Sequence, residues 1–171
     1  QRNSIMRGLK NCSDNDLIIL SDVDEIPNLN KINLFDKKSK YAVFSQKMFN
    51  YKINLLNETE NNWHGSKICL KKNLKSPQWL RNLKFKKYPF WRIDKNNLQI
   101  IDGGWHFSFL QSPEDIIKKI KAYSHGEFNT RENIDLEKIN QKIRKNLDIF
   151  NRGFKLEKIN IDGTFPEYII K

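Results

Sequence analysis

Cysteine is scarce in this chain: of 171 residues only Cys12 and Cys69 carry a thiol. They lie far apart without a CxxC spacing, which excludes a zinc ribbon and a disulfide scaffold. Both sit in or beside apolar segments and read as small buried hydrophobes rather than as a bridge. Long apolar runs are also missing. No stretch approaches the length that spans a bilayer, and no secretory signal opens the chain. There is no internal repeat, and no low-complexity tract beyond a Lys/Asn/Ile bias. Acids are the minority charge, 20 against 31 Lys and Arg, giving a net charge of +11 and an isoelectric point near 9.6. That balance invites nucleic acid as a partner. The lysines are spread along the chain, however, and no nucleic-acid-binding module accompanies them. The densest basic stretch, Lys67 to Lys87, interleaves with Trp79, Phe85 and Tyr88. A basic rim of this kind suits a phosphorylated sugar donor, or peripheral association with an anionic membrane surface, at least as well.

The length fits one domain. The chain starts without methionine, inside what reads as a helix reaching about Cys12. The expectation is therefore a single partial domain over 1–171 from a longer protein.

Against this background one run stands out: Asp16-Leu-Ile-Ile-Leu-Ser-Asp22-Val-Asp24-Glu25-Ile-Pro27. Four apolar residues read as a short buried strand, and three carboxylates follow its C-terminal end within four positions. Like charges so close repel unless something positive sits among them. Hard oxygen ligands at the mouth of an apolar strand suit Mg²⁺ or Mn²⁺. Ligands of open α/β sheets gather beyond the carboxyl ends of the strands. The run thus reads as a metal-assisted site for a phosphate-bearing substrate. The competing reading is a solvated acidic turn.

A second constellation is Asp102-Gly103-Gly104-Trp105-His106-Phe107-Ser108. Here Trp105 offers a flat face for a sugar ring or base, His106 a metal or phosphate contact, and Asp102 a general base. Equally, Gly103-Gly104 reads as a tight turn between strands Leu98–Ile101 and Trp105–Leu110. A third is Lys118, Lys121 and Ser124-His125-Gly126-Glu127, where His125 and basic side chains can hold a diphosphate or merely complement a helix end.

Elsewhere, Tyr41–Tyr51 and Trp63–Leu70 read as strands. Ser112-Pro113-Glu114-Asp115 opens a helix running to about Tyr123, and a second helix is expected over Asp135–Phe150. The tail Ile159–Ile170 is expected to add a short edge strand. Asn57-Glu58-Thr59 fits a glycosylation sequon, expected by chance in so Asn-rich a chain. The whole is an α/β pattern.

Taken in order, Ser21-Asp22-Val23-Asp24-Glu25-Ile26-Pro27, Gly103-Gly104-Trp105-His106-Phe107-Ser108 and Lys119–Glu127 resemble glycosyltransferase family 17. The opening Gln1-Arg2-Asn3-Ser4-Ile5 with Gly8-Leu9 resembles the family's segment before its acidic motif. The resemblance implies a GT-A-like, Rossmann-like nucleotide-sugar transferase fold: a mixed sheet with flanking helices, its N-terminal part missing here. It implies inverting transfer of N-acetylglucosamine or a related hexose from a UDP-sugar to a glycan acceptor, with Mn²⁺ or Mg²⁺ on the diphosphate. On that model Asp24 coordinates the ion, Asp22 contacts the donor ribose or a metal-bound water, and His106 is a further metal or phosphate ligand. Asp102 and Glu25 are the candidate bases. Arg2, Arg7, Trp105, His125 and Glu127 are candidate substrate contacts. Two readings compete: a glycan- or nucleic-acid-binding module using Trp63, Trp79, Trp91 and Trp105, and another metal-dependent phosphate-transfer enzyme.

Overall fold

Strands dominate the middle of the chain and helices its end, much as its patterning predicts. The computed structural model describes residues 2–84, 99–122 and 129–170. In order they form β1 (Leu17–Leu20), β2 (Glu25–Pro27), β3 (Tyr41–Asn50), β4 (Leu55–Asn57), β5 (Trp63–Leu70), α1 (Pro77–Asn82), β6 (Gln99–Ser108), α2 (Pro113–Ala122), α3 (Leu136–Arg144), β7 (Leu156–Lys158) and α4 (Glu167–Ile170). Three 3-10 segments, Arg2–Leu9, Leu29–Leu34 and Lys71–Asn73, complete them. The class is mixed α/β, and every strand pair with a described register is antiparallel.

The chain gathers into two compact units: Gln1–Gln46 with Asn62–His106, and Lys47–Asn61 with Phe107–Lys171. In the first, β1, β5 and β3 lie side by side, with Leu17 opposite Leu70 and Tyr41 opposite Cys69. Period-two alternation sends Ala42, Phe44, Ile68 and Leu70 to one face, where Phe35 and Ile101 complete a core. Leu20 and Cys69 fill the other face beneath Leu80 of α1, and Tyr41 meets Trp79 edge to face at 5.8 Å. Burial pushes the Cys69 thiol up to about 11, so it behaves as the apolar residue expected. A β-bulge interrupts the β3–β5 ladder. Val43 pairs with Lys67 but Ser45 with His64, leaving β5 one residue longer there.

The pairing of β2 with β6 corrects one expectation. Gly103 and Gly104 make no turn between two strands; they lie inside one continuous ten-residue strand. The reason is close approach. Pro27 of β2 lies opposite Gly104, and a Cβ on Gly104 would stand 2.7 Å from the Ile26 carbonyl oxygen. With φ of +129° and such a neighbour, only glycine fits.

In the second unit β4 pairs with the end of β3 and with β7. Helices α2 and α3 bury Ile116, Ile120 and Ile139 against Tyr51, Leu55 and Ile149. Both helix starts follow the sequence: Ser112 Oγ accepts from the Asp115 amide, and Asp135 Oδ1 from the Glu137 and Lys138 amides. Helix α3 ends at Arg144 rather than Phe150, because Asn146 takes a left-handed φ of 54°. The edge strand expected over Ile159–Ile170 forms earlier, as β7, and the tail closes instead with the single turn of α4. Beyond α3, buried Asp148 accepts from Tyr51 Oη, from Nε and Nη2 of Arg152 and from its amide. Burial acts to raise this carboxyl, but Arg152's hydrogen bonds and charge together outweigh it and hold it below the usual range. The sequon asparagine is sealed. Asn57 is fully buried, its Nδ2 donating to Asn50 Oδ1 and its Oδ1 accepting from two amides.

Candidate active site

The acidic loop turns tightly after β1, with the Glu25 amide donating to the Asp22 carbonyl at 3.0 Å. Its like charges are offset by arginines from far along the chain. Arg2 Nη2 reaches Asp22 Oδ1 at 3.0 Å, and Arg81 grips Asp22 Oδ2 through Nε at 3.0 Å and Nη2 at 2.8 Å. The same Nη2 extends to Glu25 Oε1 at 3.2 Å. The positive partner that the sequence calls for at Asp22 is therefore a pair of guanidinium groups.

Glu25 is more enclosed still, its side chain 1% exposed. Besides Arg81 it accepts from Trp63 Nε1 at 3.0 Å, from the Asp22 amide at 3.2 Å and from Ser66 Oγ at 3.5 Å. Ser66 is fixed in turn by Ser21 Oγ at 2.6 Å and by fully buried Gln46 at 3.1 Å. This network needs Gly65 on the bulge. A Cβ there would lie 1.9 Å from Gln46 Oε1 and 2.9 Å from Glu25 Cδ. A carboxylate with every lone pair engaged ties the loop together and is poorly placed to take a proton.

Asp24 points elsewhere. Its Oδ2 lies 3.5 Å from Nε2 of His106, whose side chain is 8% exposed and whose ring stacks on Trp63 at 4.6 Å. The β2–β6 register puts Glu25 directly opposite His106, so their side chains share a face. His106 Nδ1 is buried with no hydrogen-bond partner among the described groups.

Sequence reasoning passed over Arg81, Gln46 and Ser66, and named Trp63 only for a competing binding module and Lys67 only as the start of a basic stretch. Two signals pointed to some of them. Ser76-Pro77 caps α1 and presents Arg81, the same signature that opens α2. Gly65 inside an apolar strand marks a close approach. Lys67 is buried, 4% exposed, and donates to the Arg81 carbonyl. Burial and the Arg81 charge, only partly offset by Glu25 and Asp22, lower it from 10.5 to about 8. A depressed lysine opposes folding below its folded pKa and is relieved as pH rises from about 8 toward 10.5. Between pH 7 and pH 10 the stability of the native chain should therefore gain about 2–3 kcal/mol on that of Lys67→Met. Urea unfolding of both at each pH checks this, and a difference independent of pH would refute it.

The remaining sequence candidates are placed unevenly. Asp102 is exposed on β6, four residues and so about 13 Å of strand from His106. Trp105 is buried at 9% exposed, which leaves little of its ring open to a sugar. Arg7 is exposed and donates to the Ser4 carbonyl within its own segment, outside the acidic cluster. His125 and Glu127 lie outside the described residues, as do Tyr88 and Trp91.

One likeness is decisive: the sequence model of glycosyltransferase family 17 matches residues 1–153. The chain belongs to glycosyltransferase family 17. It is an enzyme, a glycosyltransferase that works between a sugar donor and a glycan acceptor. Searches of curated proteins and of solved structures each found no match.

For a metal in such a transferase the test is the donor set. Among the described residues no group of three or more His, Cys, Asp or Glu is arranged around one point. Asp24 and His106 nevertheless form a two-donor face, one hard oxygen and one imidazole nitrogen 3.5 Å apart. Mg²⁺ and similar ions are commonly held by one or two side chains, with water and substrate phosphates completing the shell. The pair fits that kind of site.

Proposed function

We propose that the chain is a metal-dependent, inverting glycosyltransferase of GT-A type, transferring N-acetylglucosamine or a related hexose from a UDP-sugar to a glycan. The observation that carries this reading is the Asp24–His106 pair. It stands at the end of the strand–acid motif, beside an Asp22 already neutralised by two arginines. Asp24 and His106 would hold Mn²⁺ or Mg²⁺, which as a Lewis acid would offset the charge growing on the leaving diphosphate. Arg2 and Arg81 fix the loop so that Asp24 projects from it, and their guanidinium groups keep the wall positive for a diphosphate. Lys67 adds to that field from below.

Inversion needs one carboxylate to take the acceptor hydroxyl's proton as the new bond forms. Of the two candidates only Asp102 has an exposed carboxylate. Its distance from His106 suits the task. The attacked carbon lies beyond the diphosphate and the acceptor oxygen about 3 Å further on, so base and metal ligands stand on separate stretches of wall. Asp102→Asn should lower kcat about 10²- to 10⁴-fold and remove the acid limb of the pH profile, with donor affinity unchanged. Glu25→Gln should instead lower the unfolding midpoint. The reverse pattern would move the base to Glu25.

Calorimetric titration with UDP-N-acetylglucosamine, with and without Mn²⁺, tests the reading as a whole. Donor binding that requires the ion supports it. Binding indifferent to the ion, or none in the folded chain, overturns it. A steep salt dependence of binding to nucleic acid would then favour the binding-module alternative.

A further inference from the structure

Trp63 touches both halves of the site: its indole N–H reaches Glu25 Oε1 at 3.0 Å, and its ring packs on the His106 ring at 4.6 Å with 32° between the planes. Those contacts constrain different freedoms. The hydrogen bond fixes the indole's rotation about its own side-chain axis, because Glu25 is itself held by Arg81, Ser66 and the Asp22 amide. The ring contact then fixes the plane of the imidazole, which among the described residues has no hydrogen bond at Nδ1 to do so. A histidine ligand is usually oriented by a carboxylate or carbonyl on its second nitrogen. Here that partner is absent among the described groups, and a ring face takes its place. The local sequence is built around the arrangement. A Cβ at Gly65 would stand 2.9 Å from Trp63 Cδ1, so any larger residue would push the indole off its seat.

We infer that Trp63 is a positioning residue for the cation site, holding His106 Nε2 toward Asp24 through its bond to Glu25 and its stack on the imidazole. This rests on the reading that Asp24 and His106 bind a divalent ion. The test uses the full chain and Mn²⁺ alone, with bound and free ion counted by electron paramagnetic resonance, so that no turnover is needed. Unfolding midpoints are measured in parallel. Trp63→Phe keeps a ring over His106 but loses the N–H, and should bind Mn²⁺ about tenfold more weakly than the native chain. Trp63→Leu loses both contacts and should approach a 100-fold loss. If Trp63→Leu does not fold, Trp63→Phe alone decides. Native affinity in a folded Trp63→Phe, with the native chain binding Mn²⁺ and Asp24→Asn not, overturns the positioning role while the cation reading stands. No Mn²⁺ binding by the native chain overturns both.

Discussion

Replacing Arg81 with methionine should cost the first unit about 3–5 kcal/mol, the range for removing one partner of a buried ion pair. The loss is large because one guanidinium serves two acids: it binds Asp22 through Nε and Nη2 and shares Nη2 with Glu25. Methionine fills much of the volume, so the missing charge rather than a cavity dominates. Glu25, its side chain 1% exposed, would be left enclosed opposite Asp22, with neutral donors and the more distant charges of Arg2 and Lys67. A neutral glutamine at position 25 removes that repulsion, so the double variant Arg81→Met/Glu25→Gln should regain part of the deficit. Denaturant midpoints at neutral pH measure this. A deficit below about 1 kcal/mol at neutral pH would mean that the clasp is a surface pairing of little consequence.

Asp24→Asn should show the opposite profile, leaving folding nearly intact and removing function. Its carboxylate, 30% exposed, lies 3.5 Å from His106 Nε2, while the clasp that Arg81 makes uses the oxygens of Asp22 and Glu25. Asparagine keeps the shape and loses the negative oxygen that a hard cation requires. Mn²⁺-dependent binding of a UDP-sugar should fall below detection. Transfer should drop about 10³-fold, the equivalent of roughly 4 kcal/mol of stabilisation on the leaving diphosphate. Calorimetry and a transfer assay with matched unfolding curves check both halves. Transfer at native levels would sink the assignment of Asp24 to the metal.

Much of this architecture was legible in the chain because it depends on local pattern. The apolar run of β1, the β-rich stretches of β3 and β5 and the Ser-Pro opening of α2 each fall where alternation and capping chemistry put them. The need for a positive partner at the acidic loop was legible for the same reason: three carboxylates in four positions demand compensation. What compensates them was not. Arg2 lies 20 residues before Asp22 and Arg81 lies 59 after it, and no spacing rule links such positions. Trp63, Ser66 and Gln46 were hidden likewise, because a sheet brings them together through register and a bulge that sequence periodicity cannot reveal. Gly103-Gly104 misled for a related reason. Two glycines serve a turn or a close strand approach equally well, and only the neighbour, Pro27, decides. Trp105 read as an open ring, but its place opposite Ile26 on β6 buries it.

The pairing of Glu25 with His106 and of Pro27 with Gly104 makes this site a matter of frame as well as of residue identity. Side chains alternate between faces at every step of a strand, so a slip of one position in β2 would present Ile26 where Glu25 now stands and turn the carboxylate away. Pro27 resists such a slip, because its ring is accommodated where the facing residue has no side chain. Val23 between the two aspartates is wholly exposed and carries no such constraint. Variation in descendants of this sequence should then be forgiving of exchanges at the tip of the acidic loop and intolerant of inserted or deleted residues on either side of it.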